Sequence, residues 1–188
     1  MSSANGPNAD IYPQDACRRA VADWIGRTDC SGDVYLPSFT LCLFALRDGQ
    51  GLEAAIPDGW RVLMPYAGSA PLLGQMTAST ANSPPQMMSL SEGARAQAAL
   101  DQLSRVQAMP EMKVCELRWL SIPGVMFEGF WLHSQSKDQP HLVSSVFTLD
   151  GELQGRVLPG DKFLPIVREY ALWRLASDDR PDYGKGKS

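Results

Sequence analysis

The chain has 188 residues, of which 44% are hydrophobic, and 17 Lys and Arg against 21 Asp and Glu give a net charge of −4. A chain of this size and apolar content buries roughly 70% of its unfolded surface around one core, so we expect a single domain over 1–188. The mildly acidic charge creates no field that attracts phosphates or anionic lipids, which argues against nucleic-acid and membrane partners. The polar ends, 1–10 and 177–188, are predicted to be flexible tails.

Cysteine usage and the lack of targeting patterns predict a cytoplasmic protein. Cys17, Cys30, Cys42 and Cys115 occur without a CxxC pair, a spacing typical of free thiols in a reducing compartment rather than of a disulfide framework. Residues 1–10 lack the basic cluster and apolar run of a secretory signal, and no stretch approaches the ~20 apolar residues that span a bilayer. We expect no metal and no cofactor.

The N-terminal half predicts one helix, two strands and a long loop. Apolar residues recur at i, i+3, i+4 and i+7 from Pro13 to Arg27, the pattern of an amphipathic helix. Aromatic and branched residues predict strands at 35–46 and 60–66, which are separated by the turn signal Pro57-Asp58-Gly59. The segment 67–88 is rich in Ser, Ala, Gly and Pro and predicts a long loop, whose methionines would adapt to a partner.

The C-terminal half predicts a helix, a three-stranded meander and a final helix. Ser89 and Glu92 have the spacing of a capping box at the start of a helix, and Pro165 suits the first turn of the last one. Three strand-like segments with short connections lie between these helices, at 114–120, 125–133 and 142–149. The expected fold class is α+β: a mostly antiparallel sheet, made of a two-strand unit and this meander, with the helices packed on one face.

Side-chain alternation divides the meander into a core face and a second face. The core face gathers Cys115, Leu117, Trp119, Phe130, Leu132, Leu142 and Val146. The second face mixes aromatic rings with ionisable groups: Glu116, Arg118, Phe127, Trp131, His133, His141, Val143 and Phe147. Aromatic and Arg side chains supply most of the hot-spot energy of protein interfaces, so Arg118, Phe127, Trp131 and His133 are predicted to bind a partner. The alternative is that a helix or the long loop covers these rings.

Two further groups on the meander invite a functional interpretation. Glu128 falls on the core face, where an ionised carboxylate needs a partner or nearby solvent, and a strand end close to solvent is the simpler explanation. His133 and His141 flank a seven-residue loop, so a closed hairpin would bring them within about 5 Å of each other. No third ligand stands at an obvious spacing, and a metal site is therefore not predicted.

One thiol has a catalytic interpretation. The tetrapeptide Asp29-Cys30-Ser31-Gly32 resembles the signature around the nucleophile of NlpC/P60 cysteine peptidases, and His141 opens a later strand, as the base does in that family. The resemblance implies a hydrolase with Cys30 as nucleophile and His141 as base, because a thiolate needs such a neighbour at neutral pH. In the family an apolar helix follows the cysteine, whereas 33–38 here predicts a strand or an irregular entry.

The sequence therefore leaves two function classes open, with one ranked first. Glycine-rich phosphate loops, GxSxG and HExxH motifs are absent from the sequence. We expect a non-catalytic, cytoplasmic interaction domain of the assembly-factor, adaptor or inhibitor type, whose partner is another protein. The alternative function is the hydrolase that uses Cys30 and His141. A homo-oligomer built on the same aromatic face is a third interpretation.

Overall fold

The computed structural model describes residues 14–26, 30–65, 70–78, 83–136 and 139–178. Within these ranges the chain forms helices and strands in the order α1 (Gln14–Ile25), β1 (Val34–Thr40), α2 (Leu43–Arg47), β2 (Ile56–Met64), β3 (Leu72–Met76), β4 (Met87–Glu92), α3 (Ala94–Gln107), β5 (Cys115–Ile122), β6 (Phe127–Ser134), β7 (Leu142–Phe147), β8 (Val157–Pro159) and α4 (Gly160–Asp178). The fold is α+β, and the described helices include none long and apolar enough to cross a membrane.

The eight strands form one mixed sheet in the order β4-β3-β2-β1-β5-β6-β7-β8. Strands β1 to β4 make one antiparallel meander and β5 to β8 a second. The two meanders meet at a parallel pair, β1 with β5. Each meander is followed by a long helix, α3 or α4. Because the first strands of the two meanders are parallel neighbours, an approximate two-fold rotation about an axis along this pair relates the two halves. The rotation exchanges the faces of the sheet and therefore places α3 and α4 on opposite faces.

Apolar side chains are buried on both faces of the sheet. The face under α3 buries Leu36, Leu63, Leu73, Trp119, Phe130, Leu132, Leu142 and Val146. The opposite face is covered over its second half by α2 and α4, which bury Leu120, Phe127, Trp131, Val143, Phe163 and Val167. Over its first half the same face is covered by α1, which buries Tyr35, Trp60, Val62 and Met76 against Cys17 and Val21. Burial on both faces explains why the central strands show no clean alternation in the sequence.

The predicted meander is confirmed, but the predicted sheet and helix arrangement are wrong. The three expected strands are β5, β6 and β7, and the sequence interpretation missed β8, which has three residues. The sheet has eight strands rather than a two-strand unit plus a meander, and its helices cover both faces rather than one. The segment 67–88 holds β3 and the start of β4 instead of being a loop throughout. Ser, Gly and Gln are weak strand formers, and here tertiary pairing overrides that preference.

Helix starts also differ from the predictions. The strand expected at 35–46 ends at Thr40, and α2 begins three residues later, at Leu43. The Cys42 sulfur accepts a hydrogen bond from a backbone N–H of the first turn of α2. Ser89 and Glu92 lie in β4, and α3 begins only after Gly93. The last helix begins at Gly160, so Pro165 lies inside it. The expected tails 1–10 and 179–188 lie outside the described residues, whereas Ser177 belongs to α4.

Two glycines occupy equivalent positions in the two halves. Gly59 pairs with Ser38 of β1, and Gly129 pairs with Leu120 of β5, each beside an irregularity in the strand register. A Cβ atom at either position would overlap a backbone carbonyl oxygen of the third strand of its half. The close approach of second and third strands therefore requires glycine at both places.

We expect Gly129→Ala to destabilise the fold by about 1–3 kcal/mol, because the added methyl group has no space beside the β7 backbone. Urea unfolding measures this loss. Gly151→Ala is the matched control, because nothing lies within 4 Å of a Cβ there, and it should change stability by less than about 0.5 kcal/mol. Equal stability of the two variants would contradict the close packing.

Candidate functional site

His133 and His141 lie together at one end of the sheet. Their rings stack with centroids 4.9 Å apart, which confirms the closeness predicted from the hairpin. The Trp131 ring meets both imidazoles edge-on, with centroid distances of 5.1 Å and 5.7 Å. The described residues hold no group of three or more His, Cys, Asp or Glu side chains that could bind a metal ion.

Hydrogen bonds and charges define the histidine pair. The backbone N–H of Ser134 donates to Nδ1 of His141 at 3.1 Å, so the ring proton of a neutral His141 lies on Nε2, 3.1 Å from Glu53 Oε1. Burial, followed by the nearby charges of Arg118 and His141, lowers the pKa of His133 below its ordinary value. Near pH 7 His133 is therefore neutral.

The structure buries two of the four residues predicted to bind a partner. Trp131 is 2% exposed and Phe127 is 1% exposed, and both lie in the core beneath α2 and α4. Arg118 stays at the margin, where its guanidinium lies 5.0 Å from the centre of the Trp131 ring, and His133 is half-buried. The covering helix that the sequence left as an alternative is thus present. That Arg118 and His133 contact a partner stays a prediction.

Cys30 and His141 are not brought together in the structure. Cys30 precedes β1 and its side chain is hydrogen-bonded to Tyr35, whereas His141 precedes β7. Strands β5 and β6 lie between β1 and β7, a separation of about 14 Å at ordinary strand spacing. A nucleophile and its base need hydrogen-bond contact, so this pair would react only after rearrangement of the sheet. Asp29 of the tetrapeptide lies outside the described residues.

An apolar groove lies between α4 and the turn 123–126. It encloses about 410 Å³ and is lined mainly by apolar side chains, among them Leu43, Val125, Met126, Phe127, Leu149 and Trp173, with Asp150 and Arg174 as its charged residues. A second depression of about 530 Å³ lies on the other side of Tyr170 and is lined by three carboxylates, Asp150, Glu152 and Glu169, and by Arg156. Tyr170 Oη donates to Asp150 at 3.1 Å, which fixes the ring between the two depressions.

The C-terminal part of α4 exposes large apolar side chains beside this groove. Its buried stripe is narrow, Phe163, Val167 and Ala171, and follows i, i+4 spacing. Tyr170 and Trp173 lie outside the stripe and beside the groove, and Trp173 is 64% exposed. Leu172 is also exposed, but it points to another side of the helix. The apolar residues of the last helix spread over a broad face in the sequence. This spread is the sequence feature from which an uncovered apolar surface on the helix could have been predicted.

Glu128 is the second residue of β6, its side chain is 14% exposed, and it is ion-paired. Its carboxylate contacts the guanidinium groups of Arg61 and Arg95, which come from β2 and α3. The predicted strand-end position is thus found, and ion pairing adds to it. No local sequence pattern pointed to either arginine partner, because Arg61 on β2 and Arg95 on α3 are both far from Glu128 in the sequence.

We expect Trp131→Ala to destabilise the fold by about 3–5 kcal/mol, because the change empties a fully packed core position under α2 and α4. Chemical unfolding monitored by circular dichroism measures the effect. Arg118→Ala is the comparison on the same face, and its loss should be smaller, because it removes a partly exposed, ion-paired side chain and not a core ring. A Trp131→Ala variant with wild-type stability would contradict the burial.

We expect the free energy of unfolding to fall as pH drops below about 6.5, the ordinary histidine pKa. Because the folded-state pKa of His133 is lowered, the unfolded chain binds more protons in this window, and stability present above it is lost on acidification. Urea titrations at several pH values, in wild type and His133→Gln, measure the slope. The variant should show a shallower slope, and parallel slopes would refute a neutral folded-state His133.

Comparison with known protein families, with curated proteins and with solved structures finds no match for this chain. Its function is therefore inferred from the groove beside α4 and from the charged groups at the two ends of the sheet.

Proposed function

We propose that this chain is a non-catalytic protein-interaction domain, and that the groove beside α4 binds an amphipathic segment of another protein. The observation that carries the proposal is the exposed apolar pair Tyr170 and Trp173, which lies on one side of α4 and lines a groove of about 410 Å³. Contiguous exposed apolar surface on a folded domain is a common mark of an interaction site.

The residues around the groove have the properties of an interface anchor. Trp and Tyr are enriched among hot-spot residues, and both rings here stand on a helix held by the core. Phe127, one of the four residues predicted to bind, lines the groove. Met126 lies beside it with a flexible side chain that can adapt to different contacts. An apolar side chain from a partner would lose water on all sides when it enters between these groups.

The second depression beside the groove favours a basic partner segment. It carries three carboxylates, Asp150, Glu152 and Glu169, against one guanidinium group, Arg156, whereas the groove itself has one charge of each sign, Asp150 and Arg174. Lys or Arg side chains flanking an apolar anchor would meet these carboxylates, and charge complementarity of this kind guides the register of binding. An amphipathic helix with apolar residues at i, i+3 or i+4 fits a groove next to a helix.

Two parts of the proposal rest on the sequence. Arg118 and His133 are proposed as secondary contacts, because their side chains stay partly exposed, at 17% and 24%. The cytoplasm is proposed as the compartment, because the four cysteines have the dispersed spacing typical of free thiols.

A displayed peptide library tests the proposal even when the natural partner has not been identified. We expect wild-type protein to select peptides that combine large apolar residues with Lys or Arg. Trp173→Ala should weaken the binding of selected peptides by about tenfold or more, because loss of a hot-spot Trp costs at least about 2 kcal/mol. Fluorescence anisotropy with the selected peptides measures the affinities.

Trp24→Ala is the matched control, because Trp24 is 53% exposed on α1, away from the groove. It should leave peptide affinity unchanged. Selected peptides that bind Trp173→Ala as tightly as wild type would overturn the proposal. Sedimentation of the protein alone provides the second arm: a dimer that Trp173→Ala dissociates would make a second copy of the chain the occupant and would overturn the hetero-partner assignment.

A further inference from the structure

A polar pocket of about 320 Å³ lies at the end of the sheet opposite the histidine pair. It is found where the parallel strands β1 and β5 both end, so it lies on the approximate two-fold axis of the fold. Charged residues from both halves line it, and Asp58 and Glu128 directly precede the equivalent glycines Gly59 and Gly129. The pocket is therefore built jointly by the two halves.

Arg61 is the central cation of this pocket and is incompletely paired. The residue is only 6% exposed, and its Nη1 atom is buried with no hydrogen-bond partner among the described residues. Its Nη2 atom lies 3.8 Å from Glu128 Oε1, which is too long for a hydrogen bond. Burial lowers the pKa of the guanidinium from its ordinary value. A buried donor without a hydrogen-bond partner lowers the stability of the fold, and a ligand acceptor that enters the pocket would supply that partner.

Asp58 has an unpaired acceptor, in contrast to the unpaired donor of Arg61. Its Oδ2 accepts a hydrogen bond from Thr40 Oγ1 at 2.5 Å. Its Oδ1 is buried and has no partner among the described residues. Carboxylate oxygens accept hydrogen bonds only, so this atom requires a donor.

The charges of the pocket sum to zero, with two guanidinium groups, Arg61 and Arg95, and two carboxylates, Asp58 and Glu128. A ligand that brings one anionic acceptor and one cationic donor would satisfy the unpaired groups without adding net charge to a partly buried site. Phe127 and Phe147 add apolar wall to the pocket, and its volume lies at the small end of ligand sites.

We propose that this pocket binds a small zwitterion of the α-amino-acid class with an apolar side chain. The ligand carboxylate pairs with Arg61 and Arg95, its ammonium group pairs with Asp58, and its side chain lies against Phe127 and Phe147. The pocket adjoins the groove and shares Pro123, Met126 and Phe127 with it, but its charged groups lie outside the groove. The proposal does not depend on the interaction function.

Isothermal titration calorimetry with L-leucine and L-phenylalanine tests the site on the full chain. Two capped compounds serve as ligand controls: N-acetyl-L-phenylalanine lacks the ammonium charge, and L-phenylalaninamide lacks the carboxylate. We expect the free amino acids to bind and each capped compound to bind about ten- to a hundredfold more weakly, because each loses charge-assisted hydrogen bonds. Equal affinity for a capped compound would overturn the zwitterion assignment.

Asp58→Asn and Arg95→Gln test the residues while leaving the buried Arg61 in place. Each variant should weaken amino-acid binding by about tenfold or more. Arg105→Gln is the matched control, because it removes the same charge from an exposed position on α3 outside the pocket. Circular dichroism establishes that the variants fold. If neither free amino acid binds wild type, ordered water satisfies Arg61 and Asp58 and the proposal is overturned.

Discussion

The parallel pairing of β1 with β5 determines the rest of the architecture. It joins only Ser38–Thr40 to Trp119–Ser121, yet it sets the relation between two antiparallel meanders. Had the pair been antiparallel, α3 and α4 would lie on the same face and leave the other face of the sheet bare. Because the pair is parallel, both faces receive a long helix, and large rings such as Trp119 and Trp131 are buried on opposite sides of one strand pair.

A sheet covered on both faces confines polar chemistry to its ends. Each charged side chain that points into a covered face needs an internal partner. Glu128 finds Arg61 and Arg95, and deeper in the α3 face Gln102 Nε2 donates to Ser144 Oγ at 2.6 Å. The histidine pair and the arginine pocket thus mark the two ends of the central strands, whereas the apolar groove lies between α4 and the turn 123–126, next to the arginine pocket.

Local sequence patterns predicted local structure well and long-range structure poorly. The strands of the second meander and both faces of its alternation could be predicted, because they depend on short connections and on a period of two. Strands β3 and β4 could not, since their Ser, Gly and Gln residues become strand only through the pairing of β3 with β2 and of β4 with β3. The arginine pocket was beyond prediction for a related reason: Arg61 and Glu128 meet across strands that are distant in sequence. The buried state of Trp131 depended on where α4 lies, which no local pattern specifies.

The position of α3 has a consequence for how the chain folds. This helix follows the first meander but packs against β7 of the second, and Trp119, Phe130 and Leu132 cover its apolar side. During synthesis α3 emerges well before those strands exist, so its apolar stripe has no complete surface to cover it. Stable folding must therefore wait until β7 is available, and the non-local contacts that close the core make the last stage slow.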